Sequence, residues 1–489
     1  MTIEQIKVPP GSAVAAPSTP HQRLRGDMGV GELVMSVLAF SAPLTTVAGF
    51  IPVLLLFSGS SAPAIYLSVT ALLLVFSVGF VAMSRTVPNP GGFYAFITAG
   101  LGRSAGLGGA WLATAGYMAI GFFAPAMFAI TVKGFLEPLG FPEVPWYVYG
   151  LGIIALTTAL AYRRIDLSAK VLTVVMVLEV IAVVVFDVAA FVNGGPADGG
   201  GAGVTLPALS DNALGLAILF VLGNFLGFEA TVIYREEAKD PEKTIPRAMF
   251  IAVAGIGIFY AVAAWAFLAF FGADKAQGAA EADTAGLFTS AMVTLTGRVV
   301  SDVITVLLIS SILAAMLSIQ NASARYLFSL GTDGVLPAPL GQVHPRHRSP
   351  FVAASVVGAV WTVLLVVFAA VGTSPDSLYA KAAGAGNLAI ILVMFAASVA
   401  VVAYFWKKRS QTRLSKWKTV VAPVVASIGL GGVALLAVTN YSDLLGDTGA
   451  VTTFFLAVTF GVPIAGFVYA RVLRARKPDV YQRIGRQEF

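Results

Sequence analysis

Few side chains in this sequence can bind or move a charge, and most of those few sit inside long apolar runs. Glu229 follows Gly227-Phe228 in the middle of ALGLAILFVLGNFLGFEATVIYREEA (213–238). Glycine weakens a helix, and a carboxylate at the centre of a bilayer costs about 2.5–3.5 kcal/mol on insertion scales. A passive anchor has no use for either. A helix that breaks here can turn freed backbone groups and one acid toward a protected cavity. Two roles stay open for Glu229: a cap on the half-helix that starts there, or a protonatable switch. Glu179 and Asp187 lie eight residues apart in another run, on one helical face. Asp187 is near the end of its run, where it reaches water. Glu179 is deeper, and Ser310, Ser311 and Ser318 are candidate partners. Ser310 and Ser311, with carbonyls from the first interruption, would also suit a sodium ion, while hydroxyls in membrane spans equally serve helix packing. Tyr117 and Asn224 are mid-run polar groups that either line a cavity or bridge helices.

Other chemistries have little to work with. The 489-residue chain contains no cysteine, and His21, His344 and His347 all fall in tails or loops. Thiolate catalysis, disulfides and a metal cluster in the apolar segments are therefore excluded, and no cofactor is expected. No second acid stands near Glu229, and no G-x-x-x-x-G-K-[ST] loop occurs. Neither an intramembrane enzyme nor an ATP-driven pump is supported. A channel or receptor built on the same spans is the alternative from another class.

The elements that must position these groups are membrane helices. The chain is 57% hydrophobic and 11% charged, against about 25% charged in soluble domains. Its excess of basic residues is therefore read loop by loop and does not point to nucleic acid. Twelve continuous apolar runs lie near 31–57, 63–85, 105–133, 145–162, 169–192, 213–235, 248–272, 299–328, 350–371, 382–406, 419–439 and 450–472. With the N-terminus inside, only Lys133, Lys275, Arg298 and Lys381 of the 31 Lys and Arg fall outside. That bias predicts a multi-pass protein of the cell membrane with both termini cytoplasmic. Lys407–Lys418 also suits anionic lipid head groups.

The first run is interrupted like the sixth. Ser41-Ala42-Pro43-Leu44-Thr45-Thr46 sits mid-run, and a proline there clashes with the carbonyl four residues back. Alone it would be a kink. Interruptions five spans apart, in units that enter from opposite sides, mark the binding site of an inverted-repeat transporter. The segments 88–96 and 286–293 are expected as short amphipathic pieces at opposite faces. The predicted architecture is all-α: a disordered tail (1–27), a first repeat (28–192), a second repeat (193–406), two further helices (407–472) and a cytoplasmic tail (473–489). Half-helix N-termini offer amides to a carboxylate, and C-termini offer carbonyls to an ammonium. Backbone atoms of Ser41, Ala42, Pro43, Leu44 and Thr45, and of Phe225 to Phe228, are therefore expected to hold an amino acid's charged groups.

The motifs resemble a known family. Gly227-Phe228-Glu229-Ala230, Glu236-Glu237-Ala238-Lys239-Asp240-Pro241 and Thr244-Ile245-Pro246-Arg247-Ala248 are similar to the G-F-E-A, E-E-A-x-x-P and T-I-P-R-A signature of the amino acid–polyamine–organocation (APC) transporters. Pro90-Gly91-Gly92-Phe93-Tyr94 and the stretch from Arg325-Tyr326 to Gly334-Val335-Leu336-Pro337 resemble further family segments. The resemblance spans the first ten runs. It implies the five-plus-five inverted-repeat, leucine-transporter-like fold and import of amino acids or related amines by alternating access. Proton coupling is expected, with sodium symport and exchange as alternatives. Three departures stand out. Ser41-Ala42-Pro43-Leu44-Thr45 replaces a G-x-G stretch. Gly223 stands where arginine exchangers carry an aromatic gate, leaving Phe225 or Phe228 to supply one. Glu179 stands where some proton-coupled relatives carry a lysine, which argues against a lysine-based mechanism.

Overall fold

The computed structural model describes residues 28–87, 92–163, 169–193, 203–207, 213–233, 238–409, 412, 414–445 and 449–485. The predicted tail 1–27, and Pro90, Gly91, Glu236 and Glu237 of the family motifs, lie outside the described residues. Among the described residues the structure is helical, and nine helical stretches are long and apolar enough to cross a membrane. Among the described residues each of the twelve apolar runs is helical, most as one helix or a pair and the first as four pieces. The segment after the second run forms the helix Gly92–Leu101, and 286–293 falls on Leu287–Thr296.

The first run is broken where Pro43 requires it. Helix Val30–Ser41 closes with the amide of Ala42 donating to the Leu38 carbonyl. Ala42 then adopts φ 43°, a left-handed conformation rare for a residue with a side chain. Pro43 opens the next helical piece, Pro43–Thr45, at a position where its missing N–H costs nothing. A wide turn, Thr46–Phe50, leads into helix Ile51–Ser58.

The sixth run is broken more sharply. Helix Leu214–Gly223 gives way to tight turns over 224–229, and helix Ala230–Ile233 resumes. Amides of Asn224, Phe225, Leu226 and Phe228 each donate to the carbonyl three residues back. Gly227 turns the chain with φ 97°. A Cβ there would also stand 2.3 Å from Phe40 Cβ, so the two breaks press together at a point that only glycine fits.

The surrounding helices hold the pair in place. Val30–Ser41 packs on Pro241–Phe271, Pro43–Thr45 on Ala169–Asn193 and Arg298–Thr332, and Leu214–Gly223 on Pro375–Lys407. Small residues bring backbones close: a Cβ on Gly100 would stand 2.1 Å from the Ala400 carbonyl oxygen, and one on Gly108 would stand 2.6 Å from that of Pro463. Close approach through small residues drives helix association in lipid, where the hydrophobic effect between helices is absent. The latter contact binds the final long helix, Ala450–Arg476, to Arg103–Gly121.

Candidate functional site

The two breaks are joined by hydrogen bonds. Ser41 Oγ donates to the Asn224 carbonyl at 3.1 Å, and the Thr46 hydroxyl donates to the Ser41 carbonyl at 2.8 Å. Tyr260, from helix 241–271, bonds both the hydroxyl and the carbonyl of Ser41. The amide nitrogen of Asn224 donates to Tyr66 OH at 2.6 Å. Carbonyl groups set free by each interruption thus find partners on side chains, as a break inside an apolar bundle requires.

Between the breaks lies a cavity of about 30 Å³. Ser41, Ala42, Thr45 and Thr46 line it from the first break, and Gly223, Asn224 and Leu226 from the second. Phe40, Phe50, Ile120, Phe123, Ala315 and Ile319 complete the wall. This volume holds about one or two waters.

A second, larger cavity of about 330 Å³ opens toward the end of the bundle that carries Lys133 and Arg298. Gly49 and Met127 lie on its floor, while the adjacent Phe50 and Phe123 line the inner cavity. Phe50 and Phe123 meet edge to face at 5.0 Å, and Tyr379 OH donates to the Gly49 carbonyl. One thin layer therefore separates the two spaces. At the opposite end several contacts tie the chain together. Met28 pairs with Ala238, and the Lys239 amide donates to the Met28 carbonyl. Tyr94 OH donates to Asp333 Oδ2 at 2.9 Å, and the amide of Gly485 reaches Tyr94 OH at 2.8 Å.

Glu179 is 2% exposed and reaches the first break from the side. Its Oε2 accepts the amide of Leu44 at 3.3 Å and the hydroxyl of Ser311 at 2.8 Å. Thr45 donates to Ser311 through both its hydroxyl (2.8 Å) and its amide (3.3 Å). A carboxylate, two hydroxyls and the N-terminal amides of a half-helix thus form one connected group. It ties helices 169–193 and 298–332 to the break, and the half-helix dipole favours an anion there. Ser310 does not join it; its hydroxyl turns back to the Leu307 carbonyl. Asp187, expected to reach water, is 6% exposed, and its Oδ1 has no hydrogen-bond partner. The run continues past it as helix to Asn193, keeping Asp187 inside the packed face.

Glu229 occupies its own break. Its Oε2 accepts the amide of Gly227 at 3.0 Å, and its Oε1 accepts Tyr117 OH. Tyr117 stacks on Tyr326 at 5.6 Å. The amides that open helix Ala230–Ile233 go to backbone carbonyls, Thr231 to Phe228 and Val232 to Glu229, so the Glu229 carboxylate braces the turn before that helix instead of capping it.

The structure therefore gathers only part of the expected set. Ser41, Ala42, Thr45 and Asn224 line the cavity; Pro43, Leu44, Tyr117, Phe225, Gly227 and Phe228 do not. Phe228 packs against Phe76 and Phe80, and Phe225 is fully buried. The amides of Leu44, Thr45, Phe225, Leu226, Gly227 and Phe228 all have protein partners. Tyr66 and Tyr260 were missed, although each is a polar aromatic inside an apolar run, the same signal that marked Tyr117.

Comparison with known proteins agrees with this architecture. Residues 31–475 match the family model described as amino acid permease. The chain is 26% identical over 429 residues to the low-affinity putrescine importer PlaP of Escherichia coli K12, covering 85% of this chain and 89% of that protein. It is 25% identical over 438 residues to the branched-chain amino acid permease BcaP of Lactococcus lactis subsp. cremoris, covering 83% and 86%. A methylthioribose transporter of Bacillus subtilis is 25% identical over 289 residues, covering 57% and 56%.

Proposed function

The chain belongs to the amino acid permease family of APC transporters, and from that premise we propose that it imports an amino acid or a related amine by alternating access, coupled to protons. It is a multi-pass membrane protein and not an enzyme, as its relatives are permeases. The reading places twelve spans in the membrane, the first ten as two inverted repeats (28–192 and 193–406), with both termini cytoplasmic. The larger cavity then faces outward and the opposite end inward.

The observation that carries the reading is the small cavity lined by both of two hydrogen-bonded breaks. A site of this kind binds charge without charged side chains, because the backbone near it ends in unpaired dipoles once the breaks separate. The thin layer at Phe50, Phe123 and Tyr379 is the outer gate. The contacts at Met28, Tyr94 and Asp333 form the inner gate. Opening one while the other holds moves the substrate across.

Glu179 supplies the coupling in this account. Ionised, it holds the Leu44 amide and Ser311 and so fixes the half-helix. Protonated, it loses the charge that makes those bonds strong, and the half-helix is free to shift. A sodium ion among Glu179, Ser311 and Thr45 is the second reading, favoured by the same three oxygens. Glu229 and Tyr117 keep the sixth segment in its broken form.

The test is uptake of leucine and of putrescine into proteoliposomes under an imposed pH gradient, with and without sodium. Saturable accumulation that collapses with the proton gradient supports the proposal. Accumulation that follows sodium alone replaces the proton. Flux that never saturates would point to a channel.

A further inference from the structure

Asn387, on helix Pro375–Lys407, is 1% exposed. Neither its amide nitrogen nor its carbonyl oxygen has a hydrogen-bond partner. Buried side-chain amides are bonded in the large majority of cases, because leaving them unpaired is costly. Asn224 repeats the pattern in part: its nitrogen is engaged by Tyr66, and its Oδ1 is unpaired.

Asn224 lines the candidate site, and Asn387 lies directly behind its wall. A Cβ built on Gly223 would stand 2.2 Å from Asn387 Oδ1 and 2.4 Å from its Nδ2. The amide therefore lies flat against a residue that lines the cavity and precedes Asn224 in the chain. On its other side, Gly386 packs so closely that a Cβ would stand 2.4 Å from the amide nitrogen of Ile120, a second lining residue. Asn387 is thus pressed against the cavity wall between two lining helices, and the bare Cα of Gly223 is what separates its amide from the cavity.

Resting on the transport reading above, we propose that Asn387, with Asn224, forms the subsite for the polar end of the substrate's side chain once the breaks part and Gly223 moves off its amide, and that it sets a preference for a terminal amine or amide over an aliphatic group. Two amide oxygens accept from an ammonium or a carboxamide nitrogen. The Asn387 nitrogen donates to a carbonyl or hydroxyl. A purely aliphatic side chain leaves all three atoms unpaired, and a site built to bond a polar group rejects the analogue that lacks one. The charge of an amine is met by neutral dipoles, so no acid is needed in the cavity wall.

The experiment uses the full chain in proteoliposomes and compares the KM of glutamine and of putrescine with that of leucine. Asn387→Leu keeps the branching of the side chain, with bulkier methyl groups, and removes the amide. The KM ratio of the polar compounds to leucine should rise at least about tenfold. The melting temperature in detergent, without substrate, reports separately on the packing cost of the bulkier side chain against Gly223, which acts on all three substrates alike and leaves the ratio unmoved. Gly223→Ala, which drives a methyl group into the same amide, should move the ratio in the same direction and gives the reading if the leucine variant does not fold. An unchanged ratio, above all with a lowered melting temperature, overturns the proposal and makes Asn387 a helix-packing residue. If the native chain accumulates none of the three compounds, the transport reading itself has failed and the subsite fails with it.

Discussion

Glu179→Gln is the most informative single change. Glutamine keeps the shape of the carboxyl group and fixes it in a neutral state. The carboxylate accepts two hydrogen bonds, from Ser311 Oγ and the Leu44 amide. Bonds to a charged group contribute about 1.5–3 kcal/mol each, and neutral ones about 0.5–1.5 kcal/mol. The difference, taken over two bonds, is about 2 kcal/mol. It corresponds to roughly a thirtyfold change in the balance between a fixed and a released half-helix. The native chain gains this shift by taking up a proton; the variant carries it permanently. Initial uptake rates in proteoliposomes, measured between about pH 5 and about pH 8, should therefore lose most of their pH dependence in the variant. Substrate should still stabilise the protein against heat, because Glu179 is not among the residues lining the cavity. A variant whose uptake keeps the native pH profile would refute the coupling role of Glu179 and leave it a structural brace.

Three further outcomes follow from the geometry. Gly227→Ala combines a φ of 97° with a Cβ 2.3 Å from Phe40; it should lose at least about 1–3 kcal/mol of stability, seen as a lowered melting temperature together with lost uptake. Tyr117→Phe removes the hydroxyl that donates to Glu229 and should cost about 1–3 kcal/mol, with KM little changed because Tyr117 does not line the cavity; a large KM change with native stability would contradict a purely bracing role for the pair. At the end opposite the larger cavity, burial raises the Asp333 carboxyl above its ordinary range, although Tyr94, the Gly485 amide and Arg483 oppose the shift. The protonated form is therefore the one favoured while the C-terminal segment is docked. Docking stability is full below the ordinary carboxylate range and falls as pH rises through the raised value. Protease cleavage of the terminal segment should become faster with pH in the native chain relative to Asp333→Asn, and equal pH profiles would contradict this.

Much of this was legible in the sequence. A proline and a Gly-x-Glu inside apolar runs can be accommodated only by breaking the helix, so both interruptions could be placed to within a few residues. Glu179 was legible because an acid so deep in an apolar run needs a partner, and Ser311 is that partner. The facing of individual residues was not legible. Ser310 and Ser311 are neighbours about 100° apart around a helix, and only the packing decides which one meets Glu179. The same holds within the breaks, where periodicity stops. Leu44, Phe225 and Phe228 were as eligible as Ser41 and Asn224, yet they do not line the cavity. Nor could the sequence show that Glu229 would satisfy the amides of its own break. That depends on Tyr117 arriving from a helix more than a hundred residues away. Asn387 carried no signal of its own, since its interest lies in the bare Gly223 beside it.

The central claim is that the space between the breaks opens to one side of the membrane and then to the other. The chain has no cysteine of its own, so a single Ala315→Cys on the cavity wall reports directly on access. Modification of that cysteine by a membrane-impermeant thiol reagent should proceed from the outside when the outer gate opens and from the inside when the inner gate opens. A transported amine or amino acid should slow it from both sides. A cysteine that reacts from one side only under every gradient, and at a rate no substrate changes, would contradict the account.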